Sequence, residues 1–543
     1  MRKPILLMLA LTIVLALASC SDKDNPVADN PPVENLAEAT ILWYGTGGGN
    51  VDAAIMNNFR QFYRAQPGSY DRVNIVAQYK VSATPNIYFG MTNEEVAEQI
   101  KSMEAEMTEV EKLDARLYFL FCHPKEGATY RFVVDAQKTL RKQLLETEPY
   151  GEHNCDITCP DSLTNFINWA AAHYPAKKYI LVMADHGGGY LPHKDLPEQL
   201  SGTQTRGLIF DDGYSKKCFS AKSFARAVSN ANVRPEGIVL YLCLMNNMEF
   251  LYEVKDVADY IAASTYSLTG KGGALQSIVD NMAAGYDTET ALGNFVDDAM
   301  DSIDDVFYNP EDPEAPYYYD MTLTKTSRLN DLAPLLREFT DRLVETYQNG
   351  TDEQRFVIDL CTSLAVKVQN TYPFYDMAKY MKTLFVAMPD VFDDEFFVRL
   401  QTAFNACIAK QRNTRYLTSH NYQVDYSVLI GHKGCYTTYN YTTSKNKEPI
   451  LDNAKVYEPD GTMNQYQYKG DGYDNISVTE NYELTGKKTW PSTFADTYQQ
   501  STFDRLVGWS RWLLINEAVP PAWSSCSLLF QLPEGDVSDI PII

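Results

Sequence analysis

The sequence predicts an α/β protein built on a mostly parallel sheet, and three observations predict it. From residue 39 to about 273, short apolar, β-branched or aromatic runs alternate with helical stretches. Strands separated by helices of that length belong to a parallel sheet covered on both faces. A composition of 45% hydrophobic and 22% charged residues is that of a folded globular chain, not of a disordered or fibrous one. Finally, 543 residues are enough for about two to four domains and a large core.

Residues 1–19 read as an export signal. Met1, Arg2 and Lys3 give a basic start, and ILLMLALTIVLALA follows, a run too short to span a bilayer comfortably. Small residues at Ala18 and Ser19 precede Cys20, an arrangement that resembles a bacterial lipobox, in which Cys20 becomes the lipid-modified first residue. Residues 20–38 form a polar, Pro-containing tether that cannot build a core. Its acidic start, SDKDNP, resembles the surface-export signal of some Gram-negative lipoproteins; an ordinary solvated linker is the other reading. The expected location is therefore the outer membrane, with the cell surface as one of its two faces. With 71 acidic against 47 basic residues the net charge is −24, a field that repels phosphate backbones and argues against nucleic-acid partners.

The first folded unit is placed at 39–285, with strands expected at 41–46, 73–79, 117–122, 179–184, 237–242 and 260–264. Helices are expected at 51–63, 94–111, 162–174, 221–229 and 247–257. Residues 286–416 carry amphipathic stretches and few strand signals, and read as a helical segment packed on that unit. Residues 417–543 are dense in Tyr, Thr and Asn and read as a β-rich C-terminal module. No second apolar run reaches transmembrane length. Of ten cysteines, Cys155 and Cys159 are spaced as a metal-binding or locally bridged pair, but no second pair or His cluster completes a zinc site.

Two strand ends carry chemistry-bearing residues. In YILVMADHGGGY a buried strand delivers Asp185 and His186 to its carboxyl edge, followed by three glycines. In GIVLYLCLMNNMEF another delivers Cys243 just before a helix. Ligands bind outside the carboxyl ends of parallel strands, so His186 and Cys243 are placed to share one site. A thiol is a poor nucleophile at neutral pH, and a nearby imidazole raises its thiolate fraction or takes its proton during attack. The helix that follows Cys243 would add its positive end. Glycine after His186 lets backbone approach a reacting carbonyl, which makes the Gly187 and Cys243 N–H groups a candidate oxyanion hole. His123, after LYFLFC, is the rival base; His153, His173, His193, His420 and His432 lack a strand-end setting.

These two segments resemble the clostripain family of cysteine peptidases, relatives of caspases, gingipains and legumain. His186-Gly187 matches the family's His-Gly strand end, and Cys243-Leu244-Met245 with Glu249 matches its nucleophile segment. The 57 residues from His186 to Cys243 are close to the roughly 50 of the caspase arrangement, and ILWYGTGGGNVD resembles the family's first strand. The resemblance implies a caspase-like α/β/α sandwich, an endopeptidase acting through a Cys243–His186 dyad and an acyl-enzyme, and cleavage after Arg or Lys.

Two departures bear on that last point. Tyr241 stands where the family has an Asp two residues before the nucleophile, and the following strand ends Ala263-Ser264-Thr265 without a carboxylate. Tyr241 and Thr265 thus mark a substrate pocket lacking the acids that receive a basic side chain. The resemblance also implies self-processing at Arg206 and raises calcium as a ligand, for which Asp211 and Asp212 are the weak candidates. No cofactor is required, the partner is a protein or peptide substrate, and a monomer is expected. The alternative is a catalytically degenerate surface lipoprotein on the same scaffold, binding protein or glycan through its tyrosine-rich C-terminal part.

Overall fold

The strand signals between residues 37 and 263 form the centre of one eight-stranded sheet. The computed structural model describes residues 36–46, 51–81, 104–113, 128–150, 155–190, 207–211, 218–363, 374–429 and 498–516, with short segments at 439–441, 454–457, 463–466 and 476–478 and a few single residues between. In chain order the strands are β1 (Ala37–Thr46), β2 (Val73–Val81), β3 (Ala128–Val133), β4 (Ala176–Ala184), β5 (Leu208–Phe210), β6 (Cys218–Phe219), β7 (Gly237–Tyr241), β8 (Tyr260–Ala263), β9 (Asp320–Lys325), β10 (Phe374–Asp376), β11 (Ile408–Asn413) and β12 (Ser427–Leu429). The sheet runs β11-β9-β8-β7-β4-β1-β2-β3. Its five central strands, β8 to β2, are mutually parallel, while β3 and β9 join antiparallel at either side.

Alternation along the central strands sends their side chains to opposite faces. Leu42, Tyr44, Leu181, Met183, Ile238 and Leu240 enter one core, which includes residues of helices Pro160–His173, Ala221–Ser229, Met248–Val254 and Leu329–Asn349. Ile41, Trp43, Ile180, Val182, Val239 and Tyr241 enter the other, beneath helices Asp52–Arg60, Gln276–Ala284 and Thr288–Phe307. Helix starts are set by side-chain caps: Ser220 accepts from Ser223 N at 3.1 Å and Asp287 from Thr290 N at 2.8 Å. The sandwich expected from the alternation of strands and helices is present.

Two expectations change, and one lies outside the described residues. The sheet does not end near residue 285: β9 and β11, from the segment read as helical, extend it by two strands. Their signal is masked by polar side chains. Thr322 and Thr324 in β9 are buried, with Thr324 Oγ1 3.0 Å from Tyr426 Oη, and in β11 Lys410 and Arg412 pair with Asp297 and Asp301. The strand at the β2 edge is Ala128–Val133, whereas the expected 117–122 lies outside the described residues. In the C-terminal part, Tyr439–Tyr441 pairs with Ile476–Val478 and Ala454–Tyr457 with Met463–Tyr466, both antiparallel. Yet residues 498–516 are largely helical and join the main core, where Phe503, Trp509 and Trp512 are buried and Tyr498 Oη donates to Glu249 at 2.9 Å. The aromatic side chains of 498–516 are thus core residues.

Candidate active site

Register brings the two chemical strand ends together. In the parallel pairing of β4 with β7, Ala184 lies opposite Tyr241, so Asp185-His186-Gly187 and Leu242-Cys243 emerge side by side at the carboxyl edge. Their backbones touch: a Cβ on Gly187 would fall 2.1 Å from Cys243 O and 2.8 Å from Cys243 N. Glycine at 187 is thus required by close approach to the cysteine.

Cys243 leads into a strained turn. Leu244, buried and following it directly, has φ +63°, a left-handed conformation uncommon for a non-glycine residue, and its N–H donates to Tyr266 O at 3.0 Å. No sequence signal marks this turn. Cys243 as a residue is partly buried, and Leu268 N donates to Sγ at 3.3 Å. Burial pushes the Cys243 thiol up from its ordinary pKa, opposed by hydrogen bonds from Leu268 N–H, the Ser267 side chain and Gly187 N–H. The helix after Cys243 spans Met248–Val254, only seven residues, and Asn247 caps its start by accepting from Phe250 N. Residues 244–247 separate it from the thiol, so the expected field from this helix is not the main influence on Cys243.

Burial lowers His186 to about 4, so its imidazole is neutral at physiological pH. The ring meets Phe210 edge-on at 6.0 Å between centroids. Both groups are therefore neutral at rest; a preformed thiolate–imidazolium pair would require both shifts to run the other way. Asp185, buried before it, accepts from Phe210 N at 2.5 Å.

The expected pocket residues are placed differently. Tyr241 is buried on the sheet, and its hydroxyl donates to Thr269 O at 3.3 Å. Thr265 does not line a surface: it is fully buried, its hydroxyl donating to Asp425 O at 3.0 Å and accepting from Asn246 Nδ2 at 2.9 Å. A buried carboxylate does stand at the end of β8, but it comes from β9 and is used by the turn itself: Asp320 accepts from Ser264 Oγ at 2.8 Å, Thr265 N at 3.0 Å and Tyr266 N at 2.8 Å. Burial pushes Asp320 up to about 6 against those donors. Sequence reading misses it because it comes 55 residues later.

Asp211, weighed as a calcium ligand, does not fit one: its oxygens lie 2.5 and 2.6 Å from Lys80 Nζ, which already supplies the positive charge. No group of three or more His, Cys, Asp or Glu is arranged for a metal among the described residues. Cys155 and Cys159 are both free thiols. His420 contacts Glu314 at 2.8 Å and His173 meets Trp169 O at 2.8 Å, both remote in role from the strand ends. Cys20, Arg206, Asp212, His123, His153, His193 and His432 lie outside the described residues.

Comparison with known proteins decides the family, since the Peptidase_C11 model, the Clostripain family, matches residues 136–496. The chain belongs to the clostripain family. The match contains both strand ends, with His186 and Cys243. The curated clostripain of Hathewaya histolytica is 25% identical over 154 residues, covering 27% of this chain and 28% of that protein, so the chain matches less than a third of that relative's length. Among solved structures, a secreted C11 cysteine protease from Bacteroides thetaiotaomicron bound to an irreversible peptide inhibitor gives TM-score 0.49 at 13% identity, covering 87% of this chain and 99% of that one. An inactive zymogen C11 protease from Parabacteroides distasonis gives 0.45 at 14%, covering 87% and 98%.

Proposed function

We propose that this clostripain-family chain is a cysteine endopeptidase in which Cys243 attacks the scissile carbonyl and His186 takes the thiol proton and returns it to the leaving amine. Water then hydrolyses the acyl-enzyme by the same base. The Gly187 and Cys243 N–H groups are the donors for the oxyanion; losing one such donor typically slows turnover by about 100-fold or more. The observation that carries the reading is the direct backbone contact between Gly187 and Cys243, which brings base, nucleophile and donors to one edge. The chemistry needs no cofactor.

Preference for Arg or Lys is weakened in this proposal. Tyr241 replaces the family acid, and Asp320 is committed to the Ser264–Tyr266 turn, so a basic side chain would enter without a partner, a costly burial. The mature chain is proposed to be a monomer carried on the outer membrane by lipid on Cys20, after removal of residues 1–19. Arg206 is proposed as the processing point between base and nucleophile.

Protein lacking residues 1–20 should be assayed on a peptide library varied at the cleavage position, beside Cys243→Ala. The expected result is cleavage by the parent and none by the variant, with no dominant Arg or Lys requirement. Absence of cleavage by both, together with no labelling of Cys243 by an irreversible thiol-directed peptide inhibitor, would return the chain to the degenerate binding protein. Loss of membrane association in Cys20→Ser tests the anchor.

A further inference from the structure

Residues 207–211, which follow Arg206 in the chain, cross the carboxyl edge of the sheet beside His186 as a short strap. Its bonds fall on successive residues of the His186 turn. Phe210 N donates to Asp185 Oδ2 at 2.5 Å, Ile209 N to His186 O at 3.2 Å, and Gly188 N to Gly207 O at 2.9 Å. Leu208 bridges Gly187, and the Phe210 ring stands edge-on to the imidazole. Ile209 holds φ +55°, a conformation that β-branched residues avoid, so the strap needs something to keep it in place.

That hold is at its far end. Asp211 receives Lys80 Nζ at 2.5 and 2.6 Å and Ile157 N at 3.2 Å, and Lys80 makes a third bond to Cys155 O at 2.9 Å. Both charged side chains are 0% exposed. Lys80 lies at the carboxyl end of β2, two strands from β4, so the ion pair fixes the strap across the end of β1. Buried ion pairs are seldom the most stable filling for a core, but they are directional, and direction is what a strap beside a catalytic base needs.

We propose that the 207–211 strap, anchored by the buried Lys80–Asp211 pair, sets the position of His186 and Gly187 against Cys243, making Lys80, Asp185 and Asp211 positioning residues of the reaction. This rests on the peptidase reading above. Because every anchor lies at or beyond Gly207, a chain break at Arg206 leaves the strap bound.

The test uses protein lacking residues 1–20 and a peptide that the parent cleaves. Asp211→Asn and Asp185→Ala are each expected to lower kcat on the order of 10- to 100-fold, the effect of a small misplacement of catalytic groups, with KM changed less than about 2-fold. Asp185→Asn keeps an acceptor for Phe210 N and is expected to restore most of the kcat lost in Asp185→Ala. If Asp211→Asn fails to fold, the Asp185 pair still decides the question, since it leaves the ion pair intact. Lowered thermal stability with unchanged kcat, or equal loss in Asp185→Asn and Asp185→Ala, would overturn the strap. A parent that neither cleaves peptides nor labels at Cys243 overturns the peptidase reading itself, and the strap's role with it.

Discussion

The two strand ends that form the site bury charge in opposite ways. At the His186 end, Asp211 is matched by Lys80 at hydrogen-bond distance, both fully buried. At the Cys243 end, Asp320, Asp376 and Asp425 are buried with mainly neutral donors: Asp376 accepts from Lys379 N and Asp425 N, and Asp425 from Gln411 Nε2. Burial pushes Asp320 up to about 6 and Asp425 up to about 7, the latter helped by the charge of Asp376. Burial pushes Asp211 up as well, opposed by the Lys80 ammonium beside it, whereas Asp320 is opposed only by hydroxyl and N–H donors.

The difference has a sign in pH. His186, lowered to about 4 from 6.5, favours folding above about 6.5, and that contribution is lost as pH falls toward 4, because the unfolded chain takes up the proton first. Asp320 and Asp425, raised from 3.8, do the reverse: their contribution is complete below 3.8 and is lost as pH rises through about 6 and 7. Between those limits His186 and these two acids oppose one another.

Substitutions sharpen this contrast. The largest effect is expected for Lys80→Met, which leaves Asp211 buried without its cation; urea unfolding should show a loss of about 3–5 kcal/mol. A Lys80→Met/Asp211→Leu double variant should recover much of that stability, and a double variant as unstable as the single one would mean that shape, not charge, is responsible. Asp320→Ala should come next. It strands the Thr265 and Tyr266 N–H groups, at about 1–3 kcal/mol for an unsatisfied buried group, while the Ser264 hydroxyl keeps Tyr266 O at 2.9 Å. Smallest is Asp425→Asn, which stays neutral at every pH. Its thermal midpoint should equal the parent's near pH 4 and exceed it by a few degrees above pH 7; parallel pH curves would show that Asp425 does not titrate in this range.

Much of the sheet is legible in the sequence because its central strands are locally patterned. Runs such as YILVMA and GIVLY are apolar on both faces, as buried parallel strands must be, and each is followed within two residues by a chemistry-bearing side chain. His186 and Cys243 stand out for that reason. β9 and β11 do not, because Thr322 and Thr324 are polar yet buried and the long side chains of Lys410 and Arg412 reach acids on a neighbouring helix. Thr265 is expected in the pocket only because it stands where the resembled family carries an acid, and that position does not tell a solvent-facing side chain from one held by a buried asparagine.

By itself, the sequence determined the residue types at each strand end, the α/β alternation and the glycine beside the base, all properties of a short window. Only the tertiary structure decided which acids stand where. Lys80 meets Asp211 across 131 residues, and Asp320 reaches the Thr265 turn across 55. A polar pair at such separation leaves no period in the chain, since its geometry is created by the register of strands that fold between its members.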